Sequence, residues 1–252
     1  MFMTRILLVP VLVLAMVCAG PAVLAQTPRT DVIPTADGPI EITMLGHASL
    51  MFVFQGRVVY VDPWIRMDDL SGRPKANLIL ITHEHRDHLD TEAIGRVMKE
   101  GTVLVVTRAC AEELGDRFKA PMVMGNGDTR TAAGFQIEAV PAYNLVHMRS
   151  PGQPYHPKGR GNGYVITFGD KRVYVAGDTE NIPEMKALQA IDAAFLPMNL
   201  PYTMDSAMAV EAARSFKPGI VYPYHTGFGP DQEAGFIDLM KGVEGVEVRG
   251  SR

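Results

Sequence analysis

From Ile40 onward, apolar residues come in short runs cut by Gly, Pro and Asp, the punctuation of strands. The early runs are Ile40–Leu45, Ser49–Gln55, Arg57–Val61 and Asn77–Ile81. Two stretches, Val58-Val59-Tyr60-Val61 and Leu78-Ile79-Leu80-Ile81, are continuously apolar, as in strands covered on both faces. Residues 91–100 read as a helix, Thr102–Thr107 as another buried strand and Ala109–Phe118 as a helix. The second half repeats the alternation. Strands are expected at Gln136–Pro141, Gly163–Phe168, Arg172–Ala176, Ala193–Leu196 and Ile220–Pro223. Helices are expected at Pro183–Ala190, Ser206–Phe216 and Gln232–Leu239. Two β-rich halves, each with helices, predict an α/β fold with two sheets face to face and helices outside. The polar stretch 26–39 reads as a leader before one domain over 40–252.

The N-terminus has a different pattern. Arg5 precedes the apolar run Ile6–Val17, and Val23-Leu24-Ala25 supplies a small-residue exit. This is the layout of a signal peptide cut after Ala25. The run falls short of the roughly 20 apolar residues of a membrane-spanning helix. A retained anchor and a lipidated Cys18 are the weaker readings. A secreted or periplasmic protein with no stable membrane span after cleavage is therefore expected. Only Cys110 would then remain, so no internal disulfide is available, and it reads as a small apolar residue.

The composition, 47% hydrophobic and 21% charged in 252 residues, is that of an ordinary globular chain. A net charge of −4 without a basic stripe argues against nucleic acid as a partner and leaves oligomeric state open.

The chemistry concentrates in Asn77-Leu78-Ile79-Leu80-Ile81-Thr82-His83-Glu84-His85-Arg86-Asp87-His88. Side chains two apart in an extended segment point the same way, so His83 and His85 can converge on one ion. A turn just beyond would bring Asp87 and His88 to the same cavity. Imidazole and carboxylate donors suit zinc, and also iron or manganese. Glu84 and Arg86 read as outward spacers. Asp178 and His225 repeat the theme of an apolar strand ending in a ligand-type residue. His47, between two strands, is either a structural histidine or close to substrate.

These motifs, Thr82–His88 with HxHxDH, Ala176-Gly177-Asp178-Thr179 and Tyr222–Gly227, resemble the metallo-β-lactamase superfamily. So do Gly46-His47-Ala48-Ser49 and Val61-Asp62-Pro63-Trp64. Within it, the sequence is most similar to the branch of ascorbate-6-phosphate lactonase and N-acyl-phosphatidylethanolamine phospholipase D. The resemblance implies a four-layer αβ/βα sandwich with two metals, zinc first, at one edge. It implies His83 and His85 on the first metal, Asp87, His88 and His225 on the second, and Asp178 between them. Asp62 is implied as a support for a ligand histidine. One departure stands out: Asn144 occupies the place of the usual third histidine of the first metal. His156, held between Pro154 and Pro157, is the favoured substitute over His147.

The implied activity is hydrolysis of an ester, lactone or phosphodiester in a small-molecule or lipid-like substrate. A divalent metal lowers the pKa of a bound water from about 15.7 to about 7. Asp87 and Asp178 are the candidate catalytic carboxylates, with Asp87 able to shuttle a proton. Asn144, His147, His47 and Tyr202 are candidates to lie near substrate, and Lys158 and Arg160 could attract an anion. The alternatives are an iron-containing redox protein on the same scaffold and a non-catalytic metal-binding protein.

Overall fold

The computed structural model describes residues 28–226 and 232–250; the expected signal peptide and Cys18 lie outside them. The first half forms a seven-stranded sheet in chain order. Its strands are β1 (Arg29–Ile33), β2 (Ile40–Gly46), β3 (Ser49–Phe54), β4 (Arg57–Val61), β5 (Leu78–Leu80), β6 (Val103–Val106) and β7 (Met122–Val123). The second half contributes β8 (Thr129–Ala132), β9 (Phe135–Ala142), a small hairpin of β10 (Met148–Ser150) and β11 (Gln153–Pro154), then β12 (Gly161–Phe168), β13 (Lys171–Val175), β14 (Ala193–Pro197), β15 (Ile220–Tyr224) and β16 (Glu247–Val248). The hairpin apart, these form a second seven-stranded sheet, ordered β16-β15-β14-β13-β12-β9-β8. In each sheet a parallel set abuts an antiparallel set. Strands β4 to β7 run parallel in one, and β13 to β16 in the other.

Side-chain alternation builds the layers. On β4, Val59 and Val61 point into a core between the sheets, while Val58 and Tyr60 point outward. The inner core joins Phe52, Leu80 and Val105 of the first sheet to Ile137, Phe168 and Phe195 of the second. The outer face of the first sheet is covered by α1 (Thr91–Val97) and α2 (Arg108–Leu114), with Ile79 and Ile81 against Ile94, Val97 and Cys110. On the second sheet the covering helices are α3 (Pro183–Lys186), α4 (Ser206–Phe216) and α5 (Gln232–Met240). Tyr174 and Leu196 pack there with Ala209, Ala213 and Phe236. The result is the expected four-layer αβ/βα sandwich. Among the described residues no helix is long and apolar enough to cross a membrane.

The leader reading needs correction. Residues 29–33 lie inside the span read as a polar leader, yet they pair antiparallel with β2 from Arg29↔Met44 to Ile33↔Ile40. Only Ile33 of this strand is buried, so an edge strand was hidden by its polar composition. Arg249 ties it down by an ion pair to Asp31, 3.1 Å. Three helices are also shorter than expected, α2 ending at Leu114. The first ends at Val97, whose carbonyl accepts from Ala76 N–H, and α3 spans only Pro183–Lys186. Cys110 is buried as expected, its thiol pushed up to about 12 by burial.

Candidate metal centre

The ligand-type residues gather at the carboxyl ends of the parallel strands, where open α/β sheets present their sites. Asp62 follows β4, His83 follows β5 closely, Asp178 follows β13 and His225 follows β15. After His85 the chain turns, with His88 N–H and Leu89 N–H both donating to the His85 carbonyl at 2.9 and 2.7 Å. This turn swings Asp87 and His88 around to face His83.

Two donor clusters result. In one, His83 Nε2 and His156 Nε2 lie 3.0 and 3.2 Å from His85 Nδ1, and Asp178 Oδ2 lies 3.3 Å from His156 Nε2 and 3.9 Å from His83 Nε2. In the other, His88 Nε2 and His225 Nε2 are 3.0 Å apart and lie 3.4 and 3.3 Å from Asp178 Oδ1. Asp87 Oδ2 completes it at 3.7 and 3.6 Å from the same nitrogens. Two donors each about 2.0–2.1 Å from a tetrahedral zinc sit roughly 3.3 Å apart. Both clusters have that spacing, and Asp178 gives one oxygen to each.

The surroundings decide which atoms are free to bind. Asp62 Oδ2 accepts from His88 Nδ1 at 2.7 Å and from the Thr82 hydroxyl at 2.6 Å, while Oδ1 accepts from Thr82 N–H at 2.8 Å. Thr82 Oγ1 in turn lies 3.0 Å from His83 Nδ1. With its hydroxyl proton given to Asp62, it accepts from His83. One buried carboxylate thus fixes the Nδ1 proton of one histidine in each cluster and leaves both Nε2 atoms facing inward. His156 is held elsewhere. Asn144 Oδ1 accepts from its Nδ1 at 2.9 Å and its backbone N–H at 2.8 Å, and Asn144 Nδ2 donates to Glu180 Oε1 and the Tyr202 carbonyl. Glu180 also accepts the N–H groups of Leu145, Val146 and His147, each at 2.7 Å. The Asn199 amide lies 3.2 Å from His225 Nδ1. The atom facing it is Nδ2, which donates as placed; only the flipped amide, with Oδ1 there, would accept the Nδ1 proton and free His225 Nε2.

Local backbone supports this placement. Gly177, before Asp178, has φ +65°, and a Cβ there would stand 2.8 Å from the Asn162 carbonyl oxygen. Asp62, His47 and His225 adopt positive φ of 44°, 52° and 49°, an uncommon conformation that functional sites concentrate.

Electrostatics separates the clusters. His83 is buried, and burial, with His88 nearby, pulls its pKa well below the usual histidine value; His85 moves the same way through burial and His156. Burial also opposes charge on His88, but Asp178 and Asp62 outweigh it and raise the pKa to about 9. Burial opposes the charged form of Asp178, yet His225 and His88 hold its carboxyl far below the carboxylate range. Its Oδ1 is buried and receives no hydrogen bond among the described residues. Nitrogen lone pairs converging on an orphaned carboxylate oxygen are unfavourable without a cation. The donor set therefore fits divalent metal ions, with His83, His85, His156 and Asp178 in one position and Asp87, His88, His225 and Asp178 in the other.

Several expectations change here. His47 stands in the β2–β3 turn with its Nε2 3.0 Å from Asp87 Oδ2 and its ring 3.8 Å from that of His225. It joins the metal centre as the donor that steadies Asp87, its pKa drawn down to about 4 by burial and by His225. Its sequence signal, a histidine in a glycine turn, was weak. Asn144 lies behind His156 and does not line the central cavity. His147 turns its Nδ1 to Glu180 at 2.9 Å and does not line the central cavity. Lys158 and Arg160 are ion-paired to Glu184 and Glu84. Arg86, read as an outward spacer, faces the cavity because the turn after His85 ends the strand-like alternation. That cavity, about 460 Å³, opens over the centre and is also lined by His47, Tyr202 and Trp64.

Comparison with known proteins agrees with this geometry. The β-lactamase superfamily domain profile matches residues 41–225. A UPF0173 metal-dependent hydrolase of Methanopyrus kandleri is 30% identical over 218 residues, covering 81% of this chain and 92% of the relative. A crystal structure of a protein assigned to the metal-dependent hydrolases, from Parabacteroides distasonis, superposes with a TM-score of 0.82 at 44% identity, covering 89% of this chain and 99% of that one. The metallo hydrolase Igni18 of Ignicoccus hospitalis superposes at 0.69 and 26% identity, covering 84% and 94%. With the histidine and aspartate donors gathered at the strand ends of two stacked sheets, the chain belongs to the metallo-β-lactamase superfamily.

Proposed function

We propose that the protein is a metal-dependent hydrolase that cleaves an ester, lactone or phosphodiester bond in a small-molecule substrate, with zinc at both donor clusters. The observation that carries this reading is Asp178, one carboxylate shared between two sets of inward-facing nitrogens, with Oδ1 otherwise unpartnered. When bound, the metal ions supply Lewis acidity that acidifies water and polarises a carbonyl or phosphoryl oxygen. The chain's own groups do the rest. Asp62 and Asn144 hold the imidazoles in the tautomers that leave ligand atoms free. Asp87 is the carboxylate open to the cavity, its side chain 33% exposed. Burial opposes its charge, but His225 and His47 hold it ionised. It can take a proton at Oδ from an attacking water and pass it on quickly, since its low pKa disfavours keeping it.

The test is a panel of 4-nitrophenyl esters, lactones and bis(4-nitrophenyl) phosphate, assayed on metal-replete and chelated protein. Hydrolysis by replete protein, loss on chelation and return with zinc are expected, alongside one to two metal equivalents per chain. Turnover that survives full metal removal would sink the reading.

A further inference from the structure

The cavity over the metal centre has two charged walls that the hydrolase reading leaves unused. Arg86 sits in the turn between His85 and Asp87, exposed, and makes no ion pair among the described residues. Arg149, on β10, lines the same cavity. Its guanidinium stacks on the Tyr155 ring at 5.8 Å and has no carboxylate partner among the described residues. The two cations of the 143–162 loop beyond Arg149 are engaged. Lys158 pairs with Glu184 at 2.7 Å and Arg160 with Glu84 at 2.6 Å, so neither loop cation is available. The site's own carboxylates, Asp87 and Asp178, are committed to histidines within 3.0–3.9 Å.

We propose that Arg86 and Arg149 bind an anionic group of the substrate, a carboxylate or a phosphate, and so select anionic substrates for the metal centre beneath them. This rests on the hydrolase reading for its biological meaning. A guanidinium presents a fixed fork of donors that matches both anions. Two such forks lining the cavity over a cation-binding centre concentrate positive charge that an entering anion would offset. The aromatic groups suit the uncharged part of such a substrate. Tyr155 and Tyr202 meet edge to face at 5.0 Å, and Trp64 lies 5.1 Å from the His47 ring. The expected ligand is therefore a compact molecule with one negative group held at the rim and the scissile bond deeper, over Asp178.

Trp64 is the chain's only tryptophan and lines the cavity, so its fluorescence reports occupancy without turnover. Metal-replete protein is titrated with phenylphosphonate, with benzoate and with neutral benzyl alcohol. Both anions are expected to bind at least tenfold more tightly than the alcohol. Arg86→Gln and Arg149→Gln should each weaken the anions by about tenfold, the loss of one charge-assisted contact. Arg160→Gln, which removes a paired cation outside the cavity, should leave anion binding within twofold. Metal content is measured on every variant. Should Arg86→Gln lose metal through its neighbours, Arg149→Gln, outside the ligand run, decides alone. Equal affinity for anions in wild type and Arg149→Gln, or equal binding of benzyl alcohol and the anions, overturns the proposal. Whether phosphonate or benzoate is preferred separates the two anion sources. A protein that binds anions through these arginines but hydrolyses nothing would leave this inference standing and remove the hydrolase reading.

Discussion

The two halves of the molecule build their shares of the metal centre in opposite ways. The first delivers His83, His85, Asp87 and His88 from one turn after β5, with Asp62 bracing His88 directly and His83 through Thr82, and His47 bracing Asp87. The second delivers His156, Asp178 and His225 from three separate loops, each with its own support: Asn144 and Glu180, Gly177, and Asn199. A dense motif can share a brace between neighbours. A dispersed set needs several, and each can fail alone. The difference does not divide by cluster, because each half gives donors to both metal positions; only Asp178 belongs to both.

Asp178→Ala is the largest break available. It removes the shared oxygen from each cluster, so metal content should fall to near zero. Hydrolysis of the best panel substrate should fall by about 10³-fold, the several kcal/mol that Lewis-acid stabilisation supplies. Losing a buried carboxylate also relieves the histidine cage, so the fold should persist, checked by circular dichroism. Retention of two metal equivalents would show that the halves do not meet at this residue.

The same asymmetry governs what the sequence could reveal. Four donors within six residues after an apolar strand are legible without a structure, because the local geometry of extended chain and turn does the gathering. Asp178 and His225 are legible only as a repeated pattern, and His156 only through the prolines that stiffen its loop, since nothing local says that the loop folds back onto His85. The contact of His47 with Asp87 and the direction of Arg86 escaped for a shared reason. Both sit where the backbone leaves strand geometry, His47 at φ 52° and Arg86 within the turn after His85, so alternation stops predicting direction. The layers were readable from apolar runs. The polar edge strand β1 and the short strands β7, β8 and β16 carry too little pattern for that.

Braces in the two halves can be set against each other. Asp62→Asn leaves a group that cannot accept from both His88 and Thr82 in the same way. It disturbs a ligand in each cluster, so both metals should bind about 10–100-fold more weakly. Asn144→Ala frees only His156. It should weaken one metal by about tenfold and leave the other, so stoichiometry drifts toward one in a competition titration with a chromogenic chelator. His156→Ala should lower metal content more than His147→Ala, whose ring faces Glu180. Equal losses at both metals in Asn144→Ala would mean that the supports are not separate.

The smallest effect distinguishes the clusters by protons. At neutral pH burial keeps His83 and His85 uncharged, so metal entering their position finds free lone pairs. His88 differs, since its pKa is raised to about 9 by Asp178 and Asp62 against the cost of burial. Its Nδ1 proton stays with Asp62, so the proton that a metal must displace is on Nε2, 3.4 Å from Asp178 Oδ1. A raised pKa means that the metal-free form holds this proton throughout the range below about 9. Binding at that position should therefore strengthen by about tenfold per pH unit from 7 to 9 and level off above, while the His83 position gains little over the same range. Calorimetry at pH 7.5 in two buffers of different ionisation enthalpy should then show close to one proton released for one metal and none for the other. Asp62→Asn removes one of the two charges that raise His88 and should move the levelling point to lower pH. Identical proton release at both positions would mean that the carboxylate pair does not set His88 apart.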